Sequence, residues 1–222
     1  MIRAAIGLKA KTGRAIAVVL RGPTHLPQLI KRTELLLTDP HVPATFQPYH
    51  EVMDLPWSES EKRVVPFIRA IEKIAAKALA ELVHELRSQA VTVACVGIAG
   101  AADRDLSRIG NYHIRAHAAE GLLFRQVLEF AAKANKLPHS TFIEKTLQTD
   151  ATSQLGYTSA KLNTSLKTLG RSAGPPWRTD HRVAATAAWL ALMNDVYSLR
   201  GKFKGKGLLK TLMAEKKKER EL

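Results

Sequence analysis

The stretch IGLKAKTGRAIAVVL, residues 6–20, decides how the fold begins. Two apolar runs flank a tight Lys-Thr-Gly turn, and this pattern predicts antiparallel strands over residues 2–9 and 14–21. A third apolar run, residues 28–37, follows after a short connection. Short connections join neighbouring strands, so these three strands should form an antiparallel meander. The first strand then ends at a charged residue, Lys9.

The rest of the chain alternates between helical and strand-like patterns. A long helix should begin near Ser58, because Ser58 and Glu61 have the spacing of a capping box. The valine-rich run at 91–100 is typical of a strand buried on both faces. The elements that follow are a helix at 113–135, a short strand at 139–144, a helix at 158–169 between Thr158 and Gly170, and a helix at 180–199. A meander followed by such crossovers predicts an α/β domain with a mixed five-stranded sheet and helices on both faces.

The charge of the chain indicates a polyanionic partner. The formal net charge is +14 and the isoelectric point is about 10.1. Nucleic acid is the first candidate partner and an anionic membrane surface the second. The basic residues cluster in two segments, because residues 1–32 contain no acid and residues 161–182 contain Asp180 alone. Both segments are therefore candidates for phosphate contacts.

The cysteine content and the hydropathy indicate a cytoplasmic protein. Cys95 is the single cysteine and lies in an apolar run, so neither an internal disulfide nor a cysteine-rich zinc site is expected. The chain does not open with a secretion-type leader. No apolar stretch reaches the roughly 20 residues that span a bilayer, so no membrane partner is expected.

Three stretches resemble the RuvC-type, Holliday-junction resolvase branch of the ribonuclease H-like superfamily. Residues 6–20 are similar to its opening hairpin, residues 119–147 to its long helix with a Leu-Pro turn and short strand, and residues 161–194 to its basic helix, Pro-rich turn and Ala-rich last helix. The resemblance implies one ribonuclease H-like domain at 1–200 followed by a basic tail at 201–222. It also suggests a homodimer, because resolvase relatives act as dimers.

The resemblance also implies where a catalytic centre belongs. Active members cut phosphodiesters with two magnesium ions, which need carboxylates at the ends of the first and fourth strands and on the last helix. Here the first position is Lys9, the fourth strand has no acid, and Thr186 or Val183 replaces the helical aspartate. Asp180 lies about one turn too early. An ammonium group repels divalent ions. The chain is therefore expected to bind nucleic acid, DNA or RNA, without this catalysis or any cofactor.

The candidate phosphate contacts are basic side chains from both cationic segments. We refer to them as the predicted basic set, which consists of Lys9, Lys11, Arg14, Lys161, Lys167, Arg178 and Arg182. Two aromatic residues in or beside the second segment, Tyr157 and Trp177, could stack on bases. A tryptophan beside two prolines also commonly packs a turn, so both interpretations of Trp177 stay open.

Two alternatives remain at the level of sequence. The first is an active magnesium- or manganese-dependent, structure-selective nuclease with a rearranged acid set of Asp103, Asp105, Glu120 and Asp180, joined by His113 or His117. Those two histidines lie four apart on a predicted helix and are themselves a candidate zinc or manganese site. The zinc-protease signature is absent, since Ile114 follows His113. The second alternative is an interaction scaffold whose charge serves solubility.

Overall fold

The computed structural model describes the backbone of residues 2–203 and the side chains of residues 3–195. Residues 204–222 of the predicted basic tail lie outside the described residues. Its centre is a five-stranded sheet in the order β3-β2-β1-β4-β5. The strands are β1 (Ile2–Lys11), β2 (Arg14–Arg21), β3 (Gln28–Leu36), β4 (Val91–Gly100) and β5 (His139–Ile143). The first three pair antiparallel, whereas β4 runs parallel to both β1 and β5. The predicted meander and mixed sheet are thus confirmed.

Helices cover both faces of the sheet, as predicted. They are α1 (Trp57–Arg63), α2 (Val65–Ser88), α3 (Tyr112–Ala134), α4 (Leu147–Leu155), α5 (Ser159–Ala173) and α6 (Thr179–Phe203). One apolar core lies between the sheet and α2 with α3, and the other between the sheet and α4, α5 and α6. This arrangement is the predicted α/β fold, with a mixed five-stranded sheet between two layers of helices. No helix in the described range combines the length and apolar character needed to cross a membrane.

Two predictions about helix ends are wrong and one is confirmed. The residue before α1 is Pro56, with no side-chain hydrogen bond, so the capping box expected from Ser58 does not form. Helix α5 continues through Gly170 to Ala173, and the residue that caps its end is Gly174, with a positive φ of 71°. At its other end the hydroxyl of Thr158 accepts a hydrogen bond from the α5 backbone, as expected.

Helix α6 packs unusually close to the sheet because both surfaces carry small residues. A Cβ atom on Gly7 of β1 would overlap the carbonyl oxygen of Ala184, and one on Gly97 of β4 would overlap that of Ala187. The facing alanines on α6 are fully buried. The alanine-rich sequence of α6 therefore allows backbone-to-backbone approach, and the start of this helix lies beside the end of β1 and the beginning of β2.

Candidate nucleic-acid interface

The parallel strands β1, β4 and β5 end at one edge of the sheet, and a cavity of about 310 Å³ lies there. Its lining includes four charged side chains, Lys9, Arg104, Glu144 and Lys145, together with His117. The charged residues come from the end of β1 and from the segments that follow β4 and β5. This is the edge at which the family resemblance implies a catalytic centre.

Lys9 forms an ion pair at this edge. Its ammonium donates a hydrogen bond to the carboxylate of Glu144, which follows β5 directly. The Lys9 side chain is only 10% exposed, whereas that of Glu144 is 40% exposed. The phosphate contact proposed for Lys9 remains a prediction, and any phosphate must compete with Glu144 for this ammonium. Sequence reasoning did not select Glu144.

The two members of this pair should respond unequally to substitution. Glu144→Ala leaves a nearly buried ammonium without an anion, and we expect a loss of about 2 kcal/mol in the free energy of unfolding. Lys9→Met leaves a carboxylate that water already reaches, and we expect a loss of about 1 kcal/mol or less. Urea denaturation of both variants measures the difference. A larger loss for Lys9→Met than for Glu144→Ala would contradict this account of the pair.

The hairpin between β1 and β2 carries two further ion pairs. The ammonium of Lys11 donates to the carboxylate of Asp180 over 2.7 Å, which ties the end of β1 to the first turn of α6. Arg14 lies 3.3 Å from a carboxylate oxygen of Glu34 on the neighbouring strand. Asp180, the acid nearest to the expected helical position, is therefore already paired with a lysine.

The structure brings the two basic segments of the sequence together. Arg32 on β3 donates hydrogen bonds to the backbone carbonyls of Pro175, over 2.8 Å, and of Pro176. A cleft of about 350 Å³ lies beside this contact, and its ionisable lining residues are Arg14, Arg32, Glu34, Arg178, Asp180 and His181. Burial and then the charge of Arg32 lower the pKa of His181, so this ring is neutral at pH 7. The positive charge of the cleft therefore comes from its arginines.

The remaining members of the predicted basic set differ in whether they contact other side chains of the domain. The ammonium of Lys161 lies 3.9 Å from the centre of the Tyr157 ring. Arg182 donates to the amide oxygen of Asn163 over 2.7 Å. By contrast, exposed cations at the α5–α6 junction form no ion pair with any described residue. They are Lys167 and Arg178 of the predicted basic set, and Arg171, which the set did not include.

Both candidate stacking aromatics are engaged inside the domain. The ring of Trp177 packs on Gly170 and stacks on His181, with 5.6 Å between the ring centres. The hydroxyl of Tyr157 donates to the carbonyl of His25 over 3.2 Å, and its ring meets Trp189 edge-on. These contacts favour the interpretation in which Trp177 packs a turn, and they leave the cations as the groups available to a ligand.

The acids of the rearranged set bind four different partners. Asp103 pairs with Arg125, Asp105 with Arg108, Glu120 with His50, and Asp180 with Lys11. Within residues 3–195, a single group of three or more potential metal-ligating side chains has its ligand atoms close together, and it contains no acid. That group joins the two predicted histidines, His113 and His117, to His50.

Sequence analysis did not identify His50 as a partner of His113 and His117, because His50 lies far from α3 along the chain. It belongs to the proline-rich connection between β3 and α1, where residues follow no periodic pattern that could assign a partner. Its only sequence signal is that it is a histidine in a loop. The spacing of His113 and His117, by contrast, correctly predicted that their rings share one side of a helix.

Comparisons with known proteins find similarity to solved structures but not to any family model or curated sequence. No protein-family model matches the chain, and a comparison with curated proteins gives no match. Among solved structures, Thermus thermophilus RuvC in complex with a Holliday junction substrate is 12% identical, with a TM-score of 0.46 over 84% of this chain and 90% of that one. A second Thermus thermophilus RuvC structure is also 12% identical, with a TM-score of 0.45 over 85% and 92%. We transfer no residue roles from this similarity.

Proposed function

We propose that this domain binds nucleic acid through phosphate contacts on one basic face and does not hydrolyse it by two-metal catalysis. We define the basic face as the α5–α6 junction together with the arginine-lined cleft beside it. The observation that supports the proposal most strongly is the exposure of Lys167, Arg171 and Arg178, which form no ion pair with the described residues. The proposal leaves DNA and RNA as alternatives for the test.

For phosphate binding, the cations without an ion-pair partner are more important than the total charge of the chain. A lysine that already pairs with a carboxylate presents little net charge, and a phosphate must displace that carboxylate to reach it. An unpaired, exposed arginine retains its full charge and can bind two phosphate oxygens at once. Arg178 and Arg171 are of this kind, and the arginines at the cleft add to the same surface. Phosphates should therefore bind first at this junction.

The state of the acids at the sheet edge supports binding without cleavage. Magnesium needs several oxygen ligands in a near-octahedral arrangement. Glu144 and Asp180 are the acids closest to the ends of β1 and β5, and each pairs with a lysine of β1. A magnesium ion would have to displace both ammonium groups and would then lie beside them. The electrostatic cost of that arrangement argues against the nuclease alternative.

Salt-titrated binding to labelled nucleic acids tests the proposal. Fluorescence anisotropy of the full chain with duplex DNA, four-way-junction DNA and RNA should show affinity that falls linearly with salt on logarithmic axes. Phosphate contacts release counterions, and the slope reports how many contacts form. No binding to any of these probes at low salt would overturn the proposal and favour the scaffold alternative.

A cleavage assay separates binding from the nuclease alternative. The same junction DNA is incubated with the chain and with magnesium or manganese, and we expect it to remain intact while bound. Cleavage that Asp180→Ala abolishes would contradict the non-catalytic part of the proposal and support the rearranged acid set. Glu81→Ala on α2 serves as the matched acid substitution, because Glu81 is exposed, pairs with Lys77 and lies outside the rearranged acid set.

A further inference from the structure

Three histidine rings from two distant parts of the chain meet beside the first turns of α3. His50 comes from the loop before α1, and His113 and His117 come from α3. The ring centres lie 4.4 to 5.2 Å apart, and the rings meet edge-on. One nitrogen from each ring lies within 4.8 Å of the corresponding nitrogen of the other two.

Hydrogen bonding among the rings of this cluster is incomplete within the described residues. His113 Nε2 and His117 Nε2 face each other over 3.0 Å, so at most one of them can donate to the other. His50 Nε2 is buried and has no hydrogen-bond partner among the described residues. A buried polar atom without a partner costs free energy unless a ligand satisfies it. A shared electron-pair acceptor would satisfy His50 Nε2 and could take the place of the hydrogen bond between the two α3 histidines.

Glu120 orients the His50 ring for that purpose. The Glu120 side chain is 1% exposed, and one of its oxygens lies 2.8 Å from His50 Nδ1. A carboxylate can only accept, so Nδ1 donates to it, and in the neutral ring Nε2 then keeps its lone pair for another partner. A buried carboxylate behind a metal-binding histidine fixes the ring in the same way in metalloproteins.

We propose that His50, His113 and His117 bind a zinc-class divalent transition-metal ion, with Glu120 as the positioning residue. Imidazole nitrogen suits zinc, copper, nickel and iron, whereas magnesium prefers oxygen. Nitrogens about 2.1 Å from a tetrahedral ion lie about 3.4 Å apart, so the rings need only small movements. The inference does not depend on nucleic-acid binding.

Three protein ligands leave the ion with an open coordination position. Structural zinc sites commonly use four protein ligands, whereas sites with three retain a water or bind an exogenous ligand. His117 also lines the cavity at the end of β1, together with Lys9 and Arg104. The ion would therefore lie at the wall of the charged cavity, where its open position suits an anionic oxygen such as that of a phosphate or carboxylate.

Metal titration of the full chain tests the site. Chelator-treated protein is titrated with zinc alone in competition with a chromophoric chelator, and we expect one equivalent to bind per chain. His50→Ala, His113→Ala and His117→Ala should each weaken zinc binding at least about 30-fold. Glu120→Gln should weaken it about 10- to 100-fold. His41→Ala is the matched control, since His41 is exposed in the same connection and should change nothing.

Two further readouts make the result decisive. Cobalt in place of zinc should give the visible absorption of a tetrahedral nitrogen site in the wild-type chain, and this absorption should disappear in His113→Ala and His117→Ala. Both of these side chains are exposed, so their variants should fold, and circular dichroism verifies it. Zinc, but not magnesium, should raise the melting temperature. Failure to bind zinc, or zinc binding that all three histidine variants retain, would overturn the proposal.

Discussion

Gly7→Ala should destabilise the folded chain by more than about 3 kcal/mol, the largest effect that we expect from any single methyl group in this protein. The new Cβ would overlap the carbonyl oxygen of Ala184, and it would lie 2.6 Å from the backbone nitrogen of Ala188. These atoms belong to helical backbone and cannot rotate away as a flexible side chain could. The sheet or α6 must therefore move, and the buried alanine contacts between them would be lost.

A matched glycine distinguishes this overlap from the general effect of adding a methyl group. A Cβ on Gly110, in the exposed loop before α3, would meet no described atom within 4 Å, so Gly110→Ala should be nearly neutral. Gly97→Ala should resemble Gly7→Ala, because its Cβ would overlap the carbonyl of Ala187. Urea denaturation of the three variants measures the effects. Similar stability for Gly7→Ala and Gly110→Ala would contradict the close packing of α6.

Reversing two charges on the basic face should weaken nucleic-acid binding on the order of 100-fold at low salt. The variant carries Lys167→Glu on α5 and Arg178→Glu at the arginine-lined cleft, which remove two unpaired cations and add two anions. Repulsion from the new carboxylates adds to the lost attraction, so the effect should exceed that of alanine substitutions. Fluorescence anisotropy against labelled duplex DNA measures it, and the slope of affinity against salt should become shallower.

The control variant makes the same change in net charge on the opposite side of the sheet. Lys73→Glu on α2 and Lys133→Glu on α3 also reverse two exposed lysines. If contacts at the basic face carry binding, this control should lose much less affinity than the first variant. Equal losses for the two variants would mean that only the total charge matters, and that the face has been placed wrongly.

The sheet could be predicted from the sequence because its signals are local. The apolar runs on either side of the Lys-Thr-Gly turn and the valine-rich run at 91–100 each indicate a strand without reference to distant residues. Helix α4 was missed, because Leu147–Leu155 is short and rich in polar and β-branched residues, with only Leu147 and Ala151 buried. Its helical state depends on packing against α6, which no local pattern reveals.

The candidate site could be predicted only in part, since its pairs are made by tertiary structure. The sequence indicated that Lys9 ends the first strand, but its partner Glu144 becomes visible only when β5 is aligned beside β4. Similarly, the spacing of His113 and His117 indicated a shared helix face, whereas His50 arrives from an irregular loop. Charge clustering along the chain correctly marked two basic segments, and the contact of Arg32 with the Pro175 carbonyl brings them together.

Anomalous diffraction from crystals grown with manganese tests the central claim most directly. The account holds that the acids at the carboxyl edge of the parallel strands are paired with lysines and do not bind hard divalent ions. It predicts Lys9 still paired with Glu144, Lys11 still paired with Asp180, and no manganese peak at either carboxylate. A manganese ion coordinated by Glu144 or Asp180, with its lysine displaced, would contradict it.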